Sequence, residues 1–283
     1  SAIAVLDAAG GVAQIVLLKP GTGYTTPPTV TLSGGGGSGA TAVAVKNWVT
    51  MTAPQADPTR DIHVTALLVD EHTLDEVQFD LTFSQQGRPF WVWGTGIKPG
   101  ETTQDFAKDN YYFSFTRLAA SGTITIAGTT HEVTGTTWMD HEYGYFGGSS
   151  ADARVRWLLQ DLQLDNGYSI SNAGILTVGY KPEIDVPVDA YATVQDAEGN
   201  LYYVASTITP VGELWTSPAT GNVYAQQFHV QIPSFQADLT VSVLVQNQEF
   251  PIAASPVYEG VAKPTGTMLG KPVTGDAWIE QAY

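Results

Sequence analysis

A β-hairpin is predicted by the stretch Arg156-Trp-Leu-Leu-Gln-Asp-Leu-Gln-Leu-Asp-Asn-Gly167, followed directly by Tyr168-Ser-Ile-Ser-Asn-Ala-Gly-Ile-Leu176. Both runs are rich in apolar residues, and the Asp-Asn-Gly segment between them is a turn signal. Similar short runs, separated by turn signals such as Glu198-Gly-Asn200, recur along the chain. No segment of about 12 residues carries apolar side chains at helical spacing. The chain is therefore predicted to be all-β, as a sandwich or a barrel.

Composition limits the size, the partners and the site chemistry. The chain has 283 residues and 43% hydrophobic content, enough for one large or two medium domains. With 12 Lys and Arg against 28 Asp and Glu, its net charge is −16, which disfavours nucleic acid and anionic membranes as partners. The absence of cysteine excludes disulfides and thiolate metal sites.

No signal peptide is visible in the sequence. The sequence contains no run of about 18 apolar residues, the length that would predict a transmembrane helix. A start at Ser1 without Met is typical of a processed exported chain or a shortened one. The expectation is therefore a periplasmic or secreted protein rather than a cytoplasmic one.

Two breaks in the strand pattern divide the chain. A Gly/Thr/Pro-rich segment occupies Pro20–Ala42, and Lys181-Pro-Glu-Ile-Asp-Val-Pro187 follows a well-patterned pair of strands. No Lys-Ser/Thr pair follows Gly34–Gly39, so a spacer or a small β module is a better interpretation than a phosphate-binding loop. The predicted parts are a module at 1–50, a first domain at 51–182 and a second at 183–283.

The segment Val133-Thr-Gly-Thr-Thr-Trp-Met-Asp-His-Glu-Tyr-Gly-Tyr145 concentrates ionisable and aromatic residues in a chain with only 14% charged residues. In a strand, side chains alternate between faces. Trp138, Asp140 and Glu142 then share one face, and Met139, His141 and Tyr143 share the other. Two carboxylates beside an indole could form an acid–base site, or simply a solvated polar face.

Other chemistries have weaker signals. The five His show neither the i, i+2 nor the i, i+4 spacing of a zinc site, and no Gly-x-Ser-x-Gly hydrolase motif occurs. No cofactor and no metal are predicted. A glycan site remains an alternative, because an acidic pair lies among seven Trp and 13 Tyr.

Several ordered motifs resemble one superfamily. They are Asn110–Leu118, Gly122–Gly128, Val133–Gly144, Arg156–Gly167, Leu214–Tyr224, Phe228–Pro233, Asn247–Glu249, Val257–Gly260 and Pro272–Glu280. Over about residues 60–283 the chain resembles the AttH and carotenoid 1,2-hydratase superfamily, with kievitone hydratase-like relatives. The segment Pro20–Ala42 is similar to small β modules of bacterial surface and phage proteins.

The resemblance implies two tandem lipocalin-like antiparallel β-barrels with the active cavity mainly in the first. It also implies cofactor-independent addition of water to an isoprenoid or aryl-prenyl double bond. The family's aromatic N-terminal barrel segment is not found in this sequence. Either the Gly-rich module replaces it, or the chain has lost it, or a partner chain supplies it. Tyr111-Tyr-Phe113 stands where the carotenoid hydratases tend to have His and Trp, which argues against carotenoid substrates.

If the reaction is alkene hydration, a role can be given to each ionisable residue of the acidic segment. A proton donor needs a carboxyl pKa raised by an apolar cavity or a like-charged neighbour, and Asp140 matches the family's aspartate. Glu142 or His141 could accept the proton of the incoming water, although a regular strand points His141 away unless a bulge re-aims it. The candidate substrate-binding residues are Trp138, Tyr111, Tyr112, Phe113, Tyr143 and Trp157.

Two classes of function follow. The first is a hydro-lyase, or a proton-initiated cyclase, acting on a hydrophobic prenyl or terpenoid-like alkene. The second is a non-catalytic lipocalin-like protein that binds an apolar ligand. Burial separates them, because a catalytic Asp140 is expected in an enclosed apolar cavity.

Overall fold

The structure is a computed structural model that describes residues 2–6, 11–17, 26, 28–31, 47–54, 61–70, 73–100, 108–145, 155–250 and 256–282. The described residues are almost entirely β-strand, which confirms the all-β prediction. Their regular helical segments are short 3-10 turns such as Val92–Gly94 and Pro233–Phe235. Among these residues, no helix is long and apolar enough to cross a membrane.

The strands in chain order are β1 Ala2–Leu6, β2 Val12–Leu17, β3 Trp48–Thr52, β4 Ile62–Val69, β5 Glu76–Gln85, β6 Phe90–Trp91, β7 Asn110–Ile126, β8 Thr129–Gly144, β9 Arg156–Leu164, β10 Ser169–Leu176, β11 Val188–Gln195, β12 Leu201–Thr216, β13 Val223–Ile232, β14 Ala237–Val243, β15 Glu249–Phe250, β16 Val257–Met268 and β17 Lys271–Ala282. The chain divides into two compact units, residues 1–84 with 120–135, and residues 85–119 with 136–283. The long strands β7 and β8 contribute residues to both units.

The first unit is built from antiparallel strands. β1 and β2 form a two-stranded sheet, and β3, β4 and β5 pair in sequence order. Gly122 on β7 lies against β5, with φ +144° and an ideal Cβ position only 2.1 Å from the carbonyl oxygen of Asp80. Only glycine permits this close approach. The Gly-rich stretch 34–39 lies outside the described residues.

The second unit contains a closed barrel of eight strands. Their order is β14-β13-β12-β11-β10-β9-β17-β16, and pairing of β14 with β16 closes the ring. Alternate side chains point inward and fill the interior with a core that includes Leu162, Phe228, Tyr258 and Ile279. The barrel interior is therefore largely occupied by the protein's own side chains.

The hairpin predicted from the sequence is β9 and β10, which pair antiparallel from Arg156 opposite Leu176 to Gln163 opposite Ser169. Its turn contains Gly167 at φ +88°. The side chain of Arg117 ties the hairpin to β7, because its Nη2 donates to the carbonyl oxygens of Leu164 at 2.7 Å and Tyr168 at 2.9 Å.

The structure draws the boundaries within the chain differently from the sequence. The predicted boundary at 182/183 falls between β10 and β11, which are hydrogen-bonded neighbours in the closed barrel. The prolines of Lys181–Pro187 mark a connection between adjacent strands. Of the two tandem barrels expected, the described residues close one, and it begins at β9 rather than at residue 183.

The second unit also contains strands outside the barrel. β6 pairs with β7, where Phe90 lies opposite Ser114, and β7 pairs with β8. Gln163 on β9 donates to the carbonyl oxygen of Thr116 on β7 at 2.7 Å, so this part of β7 lies beside β9. This arrangement brings one face of β7 and β8 toward the outer wall of the barrel.

Candidate active site

Strand β8 carries the predicted acidic segment, and its side chains alternate as the sequence predicts. Asp140 accepts hydrogen bonds from Trp138 Nε1 at 2.7 Å and from Ser114 Oγ on β7. The ring of His141 packs instead against Phe113 and Tyr143, each with a centroid separation of 5.1 Å. Asp140 and His141 therefore lie on opposite faces of β8.

Strand β7 divides the predicted substrate-binding residues in the same way. The hydroxyl of Tyr112 donates to Asp140, so Tyr112 and Trp138 lie on the carboxylate face. Tyr111 stacks on Tyr143 at 5.5 Å and lies with Phe113 on the His141 face. The predicted residues thus form two separate groups, one acidic and one aromatic.

The acidic group continues onto the outer wall of the barrel. On β9, Leu158 and Leu162 belong to the barrel core, so the alternate residues Trp157 and Asp161 face outward. Asp161 is 2% exposed and is hydrogen-bonded both to Ser171 on β10 and to Asp140. Burial, followed by the charge of Asp140, raises the pKa of Asp161 well above its usual range.

Strand β17 adds Glu280 to this group. Glu280 is half-buried and accepts a hydrogen bond from Trp157 Nε1 at 2.8 Å. Desolvation, with the charges of Glu259, Asp140 and Glu142, raises the pKa of Glu280 to about 7. Trp157, a predicted substrate-binding residue, therefore lies in the site as the hydrogen-bond donor to Glu280.

Desolvation and nearby carboxylate charges also raise the pKa values of Glu142 and Tyr112. Desolvation raises the pKa of Glu142, while a hydrogen bond from Asn110 and the charge of Lys98 oppose the increase. Desolvation and the charges of Asp161, Asp140 and Glu280 raise the pKa of the Tyr112 hydroxyl. Tyr112 therefore remains a hydrogen-bond donor at all ordinary pH values.

The carboxyl that is kept from water is Asp161, whereas Asp140 itself is exposed. The expectation that Asp140 lies in an enclosed apolar cavity was therefore wrong. Sequence analysis missed Asp161, although a charged residue among the leucines of β9 was an available signal. Glu280 carried no such signal, because its position depends on the pairing of β17 with β9.

No metal centre is visible in the described part of the chain, where no three His, Asp or Glu side chains are placed to hold one ion. The chemistry that this arrangement can perform is proton transfer. Burial favours the neutral form of Asp161, and neutral carboxylic acids are proton donors. The indole and phenol rings beside them offer π faces to a cation.

Comparisons with known proteins agree with this fold. The chain is similar to an AttH protein from Nitrosomonas europaea, with 21% identity, a TM-score of 0.60, and coverage of 77% of this chain and 64% of that one. It is also similar to kievitone hydratase from Nectria haematococca, with 18% identity, a TM-score of 0.62, and coverage of 86% and 70%. The chain thus spans about two thirds of the length of these proteins.

No curated protein sequence matches the chain. The sequence profile of the AttH-like family matches residues 30–282, which extends upstream of the resemblance found near residue 60 and covers most of the chain. The protein therefore belongs to the AttH-like family.

Proposed function

We propose that the protein is a cofactor-independent, hydratase-type lyase in which the carboxyl pair Asp140–Asp161 supplies a proton to the double bond of a hydrophobic substrate. The observation that carries this proposal is the hydrogen bond between an exposed and a buried carboxyl. Burial raises the pKa of Asp161 and so favours the neutral acid that alkene protonation requires.

The two carboxyls take different roles. Asp140 accepts hydrogen bonds from Trp138, Ser114 and Tyr112, and these donors hold its carboxyl group in place. Burial favours the neutral form of Asp161, which therefore stores the proton. Asp140 is the member of the pair that a substrate can reach, so it delivers the shared proton to the alkene carbon.

The remaining steps balance without a cofactor. Protonation of the double bond leaves the carboxyl pair ionised and creates a carbocation. The faces of Trp138 and Tyr112 and the negative charge of the pair stabilise this cation. Water adds to the cation, and its surplus proton returns to the pair. The reverse sequence is dehydration, and attack by an internal group in place of water is cyclisation.

The comparisons support this class of reaction. One structural neighbour is named as a hydratase of kievitone, and the carboxyl pair provides the acid that hydration needs. A prenyl or terpenoid-like alkene fits the aromatic side chains of the site. The interior of the described barrel is filled by its core, so it does not favour binding of an apolar ligand there.

The test is turnover of kievitone and of simpler prenylated phenols in oxygen-18 water. The wild-type protein is expected to add one labelled water. Asp161→Asn and Asp140→Asn are each expected to lower the rate by about 10²–10⁴-fold, the usual contribution of a general acid. Asp189→Asn changes an exposed aspartate on β11 and serves as the matched control.

Full activity of a folded Asp161→Asn protein would remove the pair from the mechanism. An isomeric product without added oxygen would identify a cyclase. Ligand binding without any product, across the panel, would favour the non-catalytic alternative.

A further inference from the structure

A small polar layer lies inside the closed barrel, among the apolar side chains of its core. Gln160 on β9 is on the same face as Leu158 and Leu162, which belong to that core, so its side chain points inward. By the same alternation, Asn172 on β10 points inward with Ile170. Gln160 and Asn172 are 1% and 0% exposed, so both amide groups are kept from bulk water.

The strand register places these two amides next to each other. Gln160 and Asn172 are directly opposite in the pairing of β9 with β10, where side chains on one face begin about 5 Å apart. Ser206 on β12 joins them, because its hydroxyl donates to Asn172 Oδ1 at 2.6 Å. This hydrogen bond passes over β11, where the small side chains of Ala192 and Ala190 lie opposite Asn172 and Ser206. The three polar side chains therefore form one group at one level of the barrel.

Most of the hydrogen-bonding capacity of the two amides is unused. Within the described residues, neither Nε2 nor Oε1 of Gln160 has a hydrogen-bond partner, and Nδ2 of Asn172 has none. Exchanging the two ends of either amide would leave the same number of atoms unpaired. Burying a polar atom without a partner is costly, and native proteins satisfy nearly all such atoms. These amides therefore point to a partner from outside the chain.

The surroundings of the amides define what this partner is. Amides and hydroxyls carry no charge, so an ion would bring an uncompensated charge into the barrel, and the ligand must be neutral. It must both donate and accept hydrogen bonds, because unpaired atoms of both kinds are present. It must also be small, because core side chains such as Leu162 and Ile279 surround it, and Ile279 lies opposite Gln160 on β17. Water meets all of these conditions.

We propose that the barrel contains a binding site for an ordered water molecule between Gln160 and Asn172. The water accepts a hydrogen bond from Asn172 Nδ2 and donates one to Gln160 Oε1, so it joins β9 to β10 through their side chains. Because both amides are buried, the water exchanges only when the barrel opens locally, on a scale of about microseconds to seconds. The site is independent of the proposed function, since it lies inside the barrel, whereas Asp161 faces outward.

The test is nuclear magnetic resonance of the nitrogen-15-labelled protein, which detects magnetisation transfer between water and the protons of side-chain amides. The amide protons of Gln160 and Asn172 are expected to show NOE and ROE cross-peaks to water with opposite signs. Opposite signs identify water that stays bound for longer than the protein takes to tumble. Ser206→Ala removes the neighbouring hydroxyl, whose exchange with water could mimic this signal, and should leave the cross-peaks in place.

Gln160→Met replaces the amide with an apolar side chain of similar length. The variant removes one partner of the water, so we expect loss of the Asn172 cross-peak and a fall in Tm of about 2–4 °C. A barrel without this water would instead gain stability from the same change, because an unpaired buried amide is removed. Gln231→Met changes an exposed glutamine on β13 and serves as the matched control, with a Tm within about 1 °C of wild type.

Absence of water cross-peaks from both amides of the wild-type protein would overturn the proposal, whether or not the variants fold. Cross-peaks that disappear in Ser206→Ala would also overturn it, because hydroxyl exchange would then explain them. A Tm of Gln160→Met equal to or above that of wild type would show that the amides are dry and would refute the bound water.

Discussion

Glu280→Gln is expected to change the pH dependence of folding stability. In the folded protein, burial and acidic neighbours raise the pKa of this carboxyl from 4.5 to about 7. The unfolded chain releases the proton near 4.5, whereas the folded protein holds it until about 7. The carboxyl therefore stabilises the fold fully below the lower value, and this contribution is lost as pH rises through the interval.

The size of the effect follows from the same two values. Each tenfold difference in proton affinity corresponds to about 1.4 kcal/mol, so the full interval corresponds to about 3 kcal/mol. The glutamine side chain of the variant cannot ionise, but its amide oxygen can still accept the hydrogen bond from Trp157 Nε1. Relative to wild type, the variant should gain about 2–3 kcal/mol of unfolding free energy between about pH 5 and pH 8.

The assay is urea unfolding followed by tryptophan fluorescence at several pH values. Asp161 and Glu259 also have raised pKa values and titrate in both proteins, so the difference between the two curves reports Glu280 together with the effect of its charge on these neighbours. Glu213→Gln removes an exposed carboxylate and should run parallel to wild type. Parallel curves for Glu280→Gln and wild type would refute the burial and charge argument.

Two further perturbations test the fold. Gly122→Ala places a methyl group 2.1 Å from the carbonyl oxygen of Asp80, whereas Gly128 has a positive φ but open space around it. In chemical denaturation we expect Gly122→Ala to lower the free energy of unfolding by about 3 kcal/mol or more, and Gly128→Ala to lower it by about 1–2 kcal/mol. Equal losses would contradict the close approach. Burial opposes ionisation of Glu249, but hydrogen bonds from four side chains outweigh it and lower the pKa of Glu249 below 4.5. Glu249→Gln should therefore cost about 1.5–3 kcal/mol at neutral pH, and progressively less as the pH falls from 4.5 through the lowered pKa of the folded carboxyl. A thermal unfolding deficit that is the same at acidic and neutral pH would argue against this explanation.

Much of the candidate site could be predicted from local sequence. The two-residue period of a strand correctly placed Asp140 with Trp138 and placed His141 on the other face. The same period applied to β7 separates Tyr112 from its neighbours. The period could not predict which of these faces packs against another acidic strand, because the two faces of an isolated strand are equivalent.

The sequence by itself determined an all-β chain, its family and the alternation of side chains within each strand, since these depend on residue type and on a local backbone period. Only the tertiary structure decided which carboxyls meet. Trp157 and Glu280 are 123 residues apart and come together because barrel closure pairs β9 with β17. That pairing is decided by packing of the whole core, and it brings acidic residues that are distant in sequence together on one wall.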